Sequence, residues 1–454
     1  MDEKIKYLIN DVMIFAVGNL GSKIILFFMV PLYTNCLSKE EYGIAEYVFT
    51  VSQLLIPVVS LSIWEAIVRM GLKRETKVED VLCNSFIVFS GSVFFVLLFT
   101  PLWKLYLPLS PWRIYLAIYI LAYVLNQIEL NYIKVKGRNK LFALSSIIQT
   151  LFLAILNILL LVQFKYGVKG YLLSNIIALL LADFIIFFAG NFLYDLKRGH
   201  VNFLLLKEMS AYSAPLVINN ISWWVIHSSD KIMIEVMLSS GDLGLYTVAS
   251  KIPSLINVFV AVFTQAWGIS SIREMESSND KSYYSKVFEM YSVLLFFFML
   301  LFSAIVKQFM AVYVGKAFFE SWKLVPLLFY AAVFQAFSSY FGSLFGALQK
   351  SVKTMTTTIV GGIVNIVFNY IFISLIGIWG AIIGTVSAFL IIVAIRAILL
   401  NKELYLKISW KKFLVNANLC LLCAILVSLS NYAVFASIII IVIFLFVNYQ
   451  QINE

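Results

Sequence analysis

The stretch Tyr212 to Lys251, YSAPLVINNISWWVIHSSDKIMIEVMLSSGDLGLYTVASK, decides the fold. It holds one apolar run and the start of a second, joined by a polar turn at Ser239–Asp242. Each run is long enough to cross hydrocarbon as a helix, which takes about 20 residues. Ionisable groups sit inside them: Asp230 and Lys231 on the first, Lys251 on the second. At a 1.5 Å rise per residue, Asp230 and Lys251 each lie roughly 12 Å inside the same end. A charge near a bilayer midplane costs about 2.5–3.5 kcal/mol on insertion scales, so such residues face a bundle interior or a water-filled cavity. The helical phase agrees. Asn220, Trp224, His227 and Lys231 share one face, opposite Val, Ile and Leu. On the second run, Thr247, Lys251, Ser254, Val258, Ala261 and Gln265 repeat the spacing, so two polar stripes are expected to face each other across the turn.

Working outward, the 454-residue chain is 62% hydrophobic with mean hydropathy +0.93, far from a soluble composition. Apolar stretches predict about fourteen spans, from 11–35 to 432–449, with short loops. The 11–35 run has no small-residue cleavage site and is expected to be a first span, not a signal peptide. The net charge of +10 does not point to nucleic acid, because the lysines and arginines fall in short loops. One set of loops takes 23 of them, with Arg396 counted there, and the other set 8. The richer side, holding both termini, is expected to be cytoplasmic. Cys420 and Cys423 form a lone C-x-x-C inside an apolar run, read as packing and not as metal ligation.

An internal repeat is present. Leu37, Ser38 and Gly43 recur as Leu238, Ser239 and Gly244, an offset of 201. That offset drops the second stripe onto Glu46, Thr50, Gln53, Pro57, Ser60 and Trp64, themselves at helical spacing. Lys140, Gly167 and Gly170 recur as Lys350, Gly377 and Gly380, an offset of 210, with Asn157 in one copy and Asn365 and Asn369 in the other. Six spans per copy make the repeats parallel, a plan in which transporters place substrate at the repeat interface. The expected organisation is a six-helix lobe at 1–196, a cytoplasmic interfacial linker helix at 197–210, a second six-helix lobe at 211–403 and a two-helix extension at 404–454.

No H-E-x-x-H, Walker or G-x-S-x-G motif occurs, so no enzyme activity and no cofactor or metal are expected. The candidate substrate-binding residues are Lys23, Gln53, Asn220, His227, Lys231 and Lys251. The candidate ion-coupling acids are Glu46, Asp183 and Asp230, with Asp230 also a pairing partner for Lys251. Lysines on the first, seventh and eighth spans suit an anion such as a pyrophosphate.

The order and spacing of several short motifs carry a resemblance over nearly the whole chain: Asn19-Leu-Gly-Ser-Lys23, Leu37-Ser-x4-Gly43, Leu238-Ser-x4-Gly244-Leu-Tyr246, Tyr313-Val-Gly315 through Val325-Pro-Leu327, and Gly346-Ala-Leu-Gln-Lys350. The chain resembles the polysaccharide-transporter branch of the multidrug/oligosaccharidyl-lipid/polysaccharide exporter superfamily, which contains O-antigen and capsular oligosaccharide flippases. That resemblance implies an all-α bundle of two six-helix lobes forming a V, a cationic central cavity and alternating access. It implies a polyprenyl-pyrophosphate oligosaccharide as substrate, with Lys23, Lys231 and Lys251 as head-group contacts. Membrane lipids, the polysaccharide polymerase and its chain-length machinery are the implied partners, in a bacterial inner membrane. Lys23 stands where multidrug exporters of the superfamily carry an acid. A cation-coupled antiporter and a peptidoglycan-precursor flippase are the alternatives.

Overall fold

A computed structural model describes residues 21–452, apart from 74, 106–107, 278–280 and 430–432. The first half of the expected first span, with Asn19, lies outside the described residues. Every regular element described is helical. Hydrocarbon explains why: a spanning segment must satisfy its own backbone, and a helix does so within one segment. Ten described helices are long and apolar enough to cross a membrane, eleven if a bent pair is one span.

The chain divides into two compact units, Met1–Trp224 and Val225–Glu454. In the first, α1 covers 21–36, and α2 (Lys39–Val59) opens on a capping box. Ser38 accepts from the Glu41 amide at 3.1 Å, while the Glu41 carboxylate takes the Ser38 amide at 2.9 Å. The expected unbroken span over 42–70 is two helices. Pro57 removes a helical donor, the chain turns through Leu61 and Ser62 at positive φ, and α3 (Ile63–Gly71) resumes. Then come α4 (Val78–Phe99), α5 (Arg113–Val135), α6 (Asn139–Asn157, extended by a wider turn to Gln163), α7 (Gly167–Ala189) and the short α8 (Phe192–Arg198). Arg138 donates to the Ala189 carbonyl at 2.9 Å, joining the C-terminal ends of α5 and α7.

The long helix α9 (Phe203–Met237) belongs to both units. A separate linker helix over 197–210 is not seen: α8 ends at Arg198 and α9 runs unbroken from Phe203, because Leu204, Leu205 and Leu206 continue the helix of the following span.

In the second unit, α10 (Ser240–Lys251) repeats the serine cap, Ser239 accepting from Asp242 at 3.1 Å. Pro253 interrupts the expected span over 243–271, and α11 (Ile256–Ser277) follows. The helices α12 (Lys281–Tyr313), α13 (Val325–Ala347), α14 (Ser351–Ile376) and α15 (Ile378–Leu404) complete the repeat. The final pair, α16 (Trp410–Leu429) and α17 (Ala433–Ile452), packs on α12, and α16 also on α13. Phe288, Phe337 and Phe413 interlock there at centroid distances of 5.4–5.5 Å. Asn416 and Asn448 exchange reciprocal amide bonds at 3.0 and 2.9 Å, a polar link between two helices in an apolar environment. Cys420 and Cys423 are buried, and Cys423 reaches Ser437.

The repeat is visible in backbone detail. Gly167, the first residue of α7, and Gly377, between α14 and α15, are offset by 210 and both sit at positive φ (54° and 62°), where a side chain would be strained. Three residues later Gly170 and Gly380 let neighbouring helices close. A Cβ on Gly380 would stand 2.1 Å from the Phe372 carbonyl carbon, and one on Gly384 2.0 Å from Asn369 Oδ1. This small-x3-small face binds α14 to α15.

Gly380→Ala is therefore expected to destabilise the protein by about 1–3 kcal/mol, since backbone must move to admit the methyl. Gly346→Ala, where a Cβ meets nothing within 4 Å, serves as the control and should melt like the parent. Thermal unfolding in detergent, followed for both variants, checks this; equal melting of the two would contradict the close approach.

Candidate functional site

The polar residues singled out from the sequence separate into two classes. Lys23, Gln53 and His227 are exposed, and Asn220, Lys231 and Lys251 are half-buried. Glu46, Asp183 and Asp230 are buried, at 7%, 2% and 6% exposure. The first two residues of the α9 stripe bond to α2 and the turn that follows it. Asn220 donates to Ser62 at 3.0 Å, beside the break after α2, and Trp224 Nε1 donates to the Thr50 carbonyl at 3.0 Å. His227 lies near Phe389, centroids 6.3 Å apart. Asp230, one position off the stripe, meets α10 through Tyr246, and Glu235 accepts from the Ser240 hydroxyl at 2.6 Å. The side chains of Val258 and Gln265 lie outside those described.

Asp230 accepts from the Tyr246 hydroxyl on α10 and from the Lys231 amide at 2.8 Å. These bonds, and not the expected pairing with Lys251, anchor it. Next to it Ser229 donates to Asn365 Oδ1 at 3.2 Å, Asn369 donates to the same oxygen at 3.1 Å, and Asn365 donates to Thr385 at 3.3 Å. A chain of neutral donors thus crosses α9, α14 and α15. Networks of this kind favour one packing, because each partner lost leaves a buried polar atom stranded.

The first unit holds a counterpart. Glu46 on α2 accepts from the Tyr171 hydroxyl on α7 at 3.3 Å, Tyr171 packs edge-on against Tyr33 at 4.8 Å, and Asn157 on α6 donates to the Tyr33 oxygen at 3.2 Å. In each unit a buried acid accepts from a tyrosine hydroxyl near an asparagine of the fifth span, but the spans of acid and tyrosine differ: α2 and α7 in the first unit, α9 and α10 in the second. Further along α7, Asp183 Oδ1 accepts from Asn126 on α5 at 2.6 Å.

Two residues with buried charge escaped the sequence reading. Glu129, 1% exposed on α5, sits one turn from Asn126; its position six residues inside a span was the available signal. Arg396 was counted among loop cations but is buried within α15. Its guanidinium donates to Thr357 Oγ1 (2.9 Å), the Ser338 carbonyl (2.7 Å) and hydroxyl (3.0 Å), the Thr354 carbonyl (3.2 Å) and Thr358 Oγ1 (2.8 Å). Neutral oxygens alone satisfy it, and the fork joins α13, α14 and α15. No group of three or more metal-ligating side chains occurs among the described residues.

Two units of helices long and apolar enough to span a membrane, each with buried acids held by phenols and amides, define a multi-pass helical membrane protein. The chain belongs to the polysaccharide biosynthesis protein family, which matches residues 8–269. That places it in the polysaccharide-transporter branch its motifs resemble. It is similar to a protein of the Lsg locus of Haemophilus influenzae, 22% identical over 263 residues, covering 57% of this chain and 64% of that relative. Its fold is similar to that of a structure described as the lipid II flippase MurJ in an inward closed conformation (TM-score 0.73, 14% identity, 97% of this chain and 100% of that one). An inward-facing multidrug-resistance MATE transporter is also similar (TM-score 0.64, 15% identity, 84% and 93%).

Tyr246→Phe strands the Asp230 carboxylate and should cost about 1–3 kcal/mol. With Asp230→Asn it forms a double-mutant cycle expected to be non-additive by about 1 kcal/mol or more, read by thermal unfolding. Additive behaviour would mean the bond contributes nothing. Arg396→Lys, which keeps the charge but loses the planar fork, should lower stability by about 2 kcal/mol.

Proposed function

We propose that this chain is a flippase carrying a polyprenyl-pyrophosphate-linked oligosaccharide from the cytoplasmic to the outer leaflet, by alternating access, for surface polysaccharide synthesis. One observation carries the proposal: the accessible ionisable groups within the candidate set are cations. Lys23, Lys231 and Lys251 are exposed or half-buried, whereas Glu46, Asp183 and Asp230 are buried and hydrogen-bonded within their own units. Ammonium groups at intramembrane positions attract a pyrophosphate and repel a cationic drug. Gln53, Asn220 and His227 supply neutral hydrogen-bonding groups for sugar or phosphate oxygens.

The prenyl chain stays in lipid while the charged head group passes, so the protein neutralises and solvates only the part that hydrocarbon rejects. Interconversion of two states then requires only that the head group bind each state with different strength. Both termini are placed on the cytoplasmic side of a bacterial inner membrane, and the polymerase and chain-length machinery are the partners that receive the product. The buried acids are the candidates for ion coupling. A cation-coupled antiporter is the second reading, favoured by the buried, phenol-bonded Asp230 and by the fold shared with a MATE transporter. A lipid-linked peptidoglycan precursor is the neighbouring substrate class, since the flippase of similar fold is described as acting on lipid II.

In reconstituted vesicles, the protein should accelerate the exposure of a polyprenyl-pyrophosphate oligosaccharide to an impermeant sugar-modifying reagent outside. The Lys23→Ala/Lys251→Ala double variant should slow this by about tenfold or more, the equivalent of one lost charge-assisted contact. No acceleration by the parent, together with Asp230-dependent efflux of a lipophilic cation, would replace this function with the antiporter.

A further inference from the structure

Glu129 and Asp183 are 1% and 2% exposed, on helices α5 and α7 that pack against each other. They are linked through Asn126, which stands one turn from Glu129 and donates to Asp183 Oδ1 at 2.6 Å. Each lies six residues before its helix end, Val135 and Ala189, or about 9 Å at 1.5 Å per residue, so their depths match. A second observation is independent of the clustering. Glu129 Oε2 and Asp183 Oδ2 are both fully buried with no hydrogen-bond partner among the described residues. No ion pair reaches either carboxylate among the described residues.

The charged groups on the surrounding helices are engaged elsewhere or lie at helix ends. Lys136 holds Asp195 at 2.6 Å, Lys134 lies over the Phe142 ring at 4.6 Å, and Glu46 is bonded to Tyr171. Glu65 and Arg69 occupy the first and last turns of α3, and Asp80 the first turn of α4 beside His200.

The second repeat shows the same location closed. At the offset of 210, Asp183 falls on Val393, one turn before Arg396, and Glu129 falls on Ser339, next to Ser338. There the buried charge is a cation, and five neutral hydrogen bonds satisfy it. In the first repeat the charges are two acids, and a donor is lacking. Two neighbouring carboxylates in a low-dielectric interior do not both stay ionised, and an uncompensated pair draws in a proton or a cation.

We infer that Glu129 and Asp183 form a proton-binding site in the first unit, holding one proton between them. A proton on either carboxyl supplies the donor that the orphan oxygens lack, using oxygens already in place and no further ligand. The inference deepens the ion-coupling role suggested above for Asp183 by giving it a partner and a ligand, and it rests on that role only for its use in transport. Proton occupancy is read without any substrate, so the inference and the flippase function can fail separately.

The test is infrared spectroscopy of the purified protein near neutral pH, following the carbonyl stretch of a protonated, buried carboxyl. The parent should show this band, shifted in heavy water and lost reversibly on raising the pH. Glu129→Gln and Asp183→Asn should each abolish it, because the new amide provides the donor and leaves the remaining acid ionised. Both variants should melt no lower than the parent. The parent measurement alone suffices if either variant fails to fold: absence of the band overturns the inference. So does a band that persists in both variants, and so does a carboxylate signal that responds to sodium but not to pH.

Discussion

Burying a carboxylate inside a helical membrane bundle is the constraint on which the rest of this structure depends. Hydrocarbon offers no donors, so each acid drawn inside must find its hydrogen bonds on neighbouring helices. Glu46 finds Tyr171, Asp230 finds Tyr246, and Asp183 finds Asn126. Each bond ties two helices together, two of the three across more than 50 residues, so the cost of desolvation becomes a specification of which helices pack together. Arg396 shows the same rule with opposite sign, its planar fork reaching oxygens on α13 and α14. Glu129 stands outside the rule, and that makes it chemically distinctive.

The two repeats solve the same packing problem with different residues. Both carry a second span that starts on a serine-capped helix and then breaks, one beyond Pro57 and one at Pro253. Both turn through a positive-φ glycine into a small-residue face. Backbone demands are repeated because glycine alone meets them without strain. The buried charges are not repeated: acid and phenol sit on α2 and α7 in one unit and on α9 and α10 in the other, and an acid pair lies within a turn of the position equivalent to the other unit's arginine. Scaffold is thus shared while polarity diverges, as expected of a fold that hosts several transport chemistries.

Much of the architecture was legible from spacing and composition. The apolar runs announce helices, and the 201 and 210 offsets announce the repeat. The serine caps and the glycine junctions then fall where those offsets put them. The breaks after Pro57 and at Pro253 were less legible, because hydropathy averages over a bend that costs no apolar residue. The segment 197–210 is ambiguous for a similar reason: Leu204 to Leu206 suit a short surface helix as well as the first turns of the continuous α9. The family match over 8–269 agrees with the motif resemblance.

Sequence alone determined the helical class, the membrane setting and the repeat, because lipid forces backbone self-satisfaction and only glycine tolerates the tight junctions. Tertiary structure decided which polar residues are accessible. Successive positions of one helix hold Asp230 inward and Lys231 half-buried, and no periodicity tells in advance which polar residue is buried in a bond. It also brought Glu129 to Asp183 across 54 positions, through Asn126. That pairing depends on how α5 and α7 pack, a choice set by side-chain fit between helices and carried by no local pattern in either one.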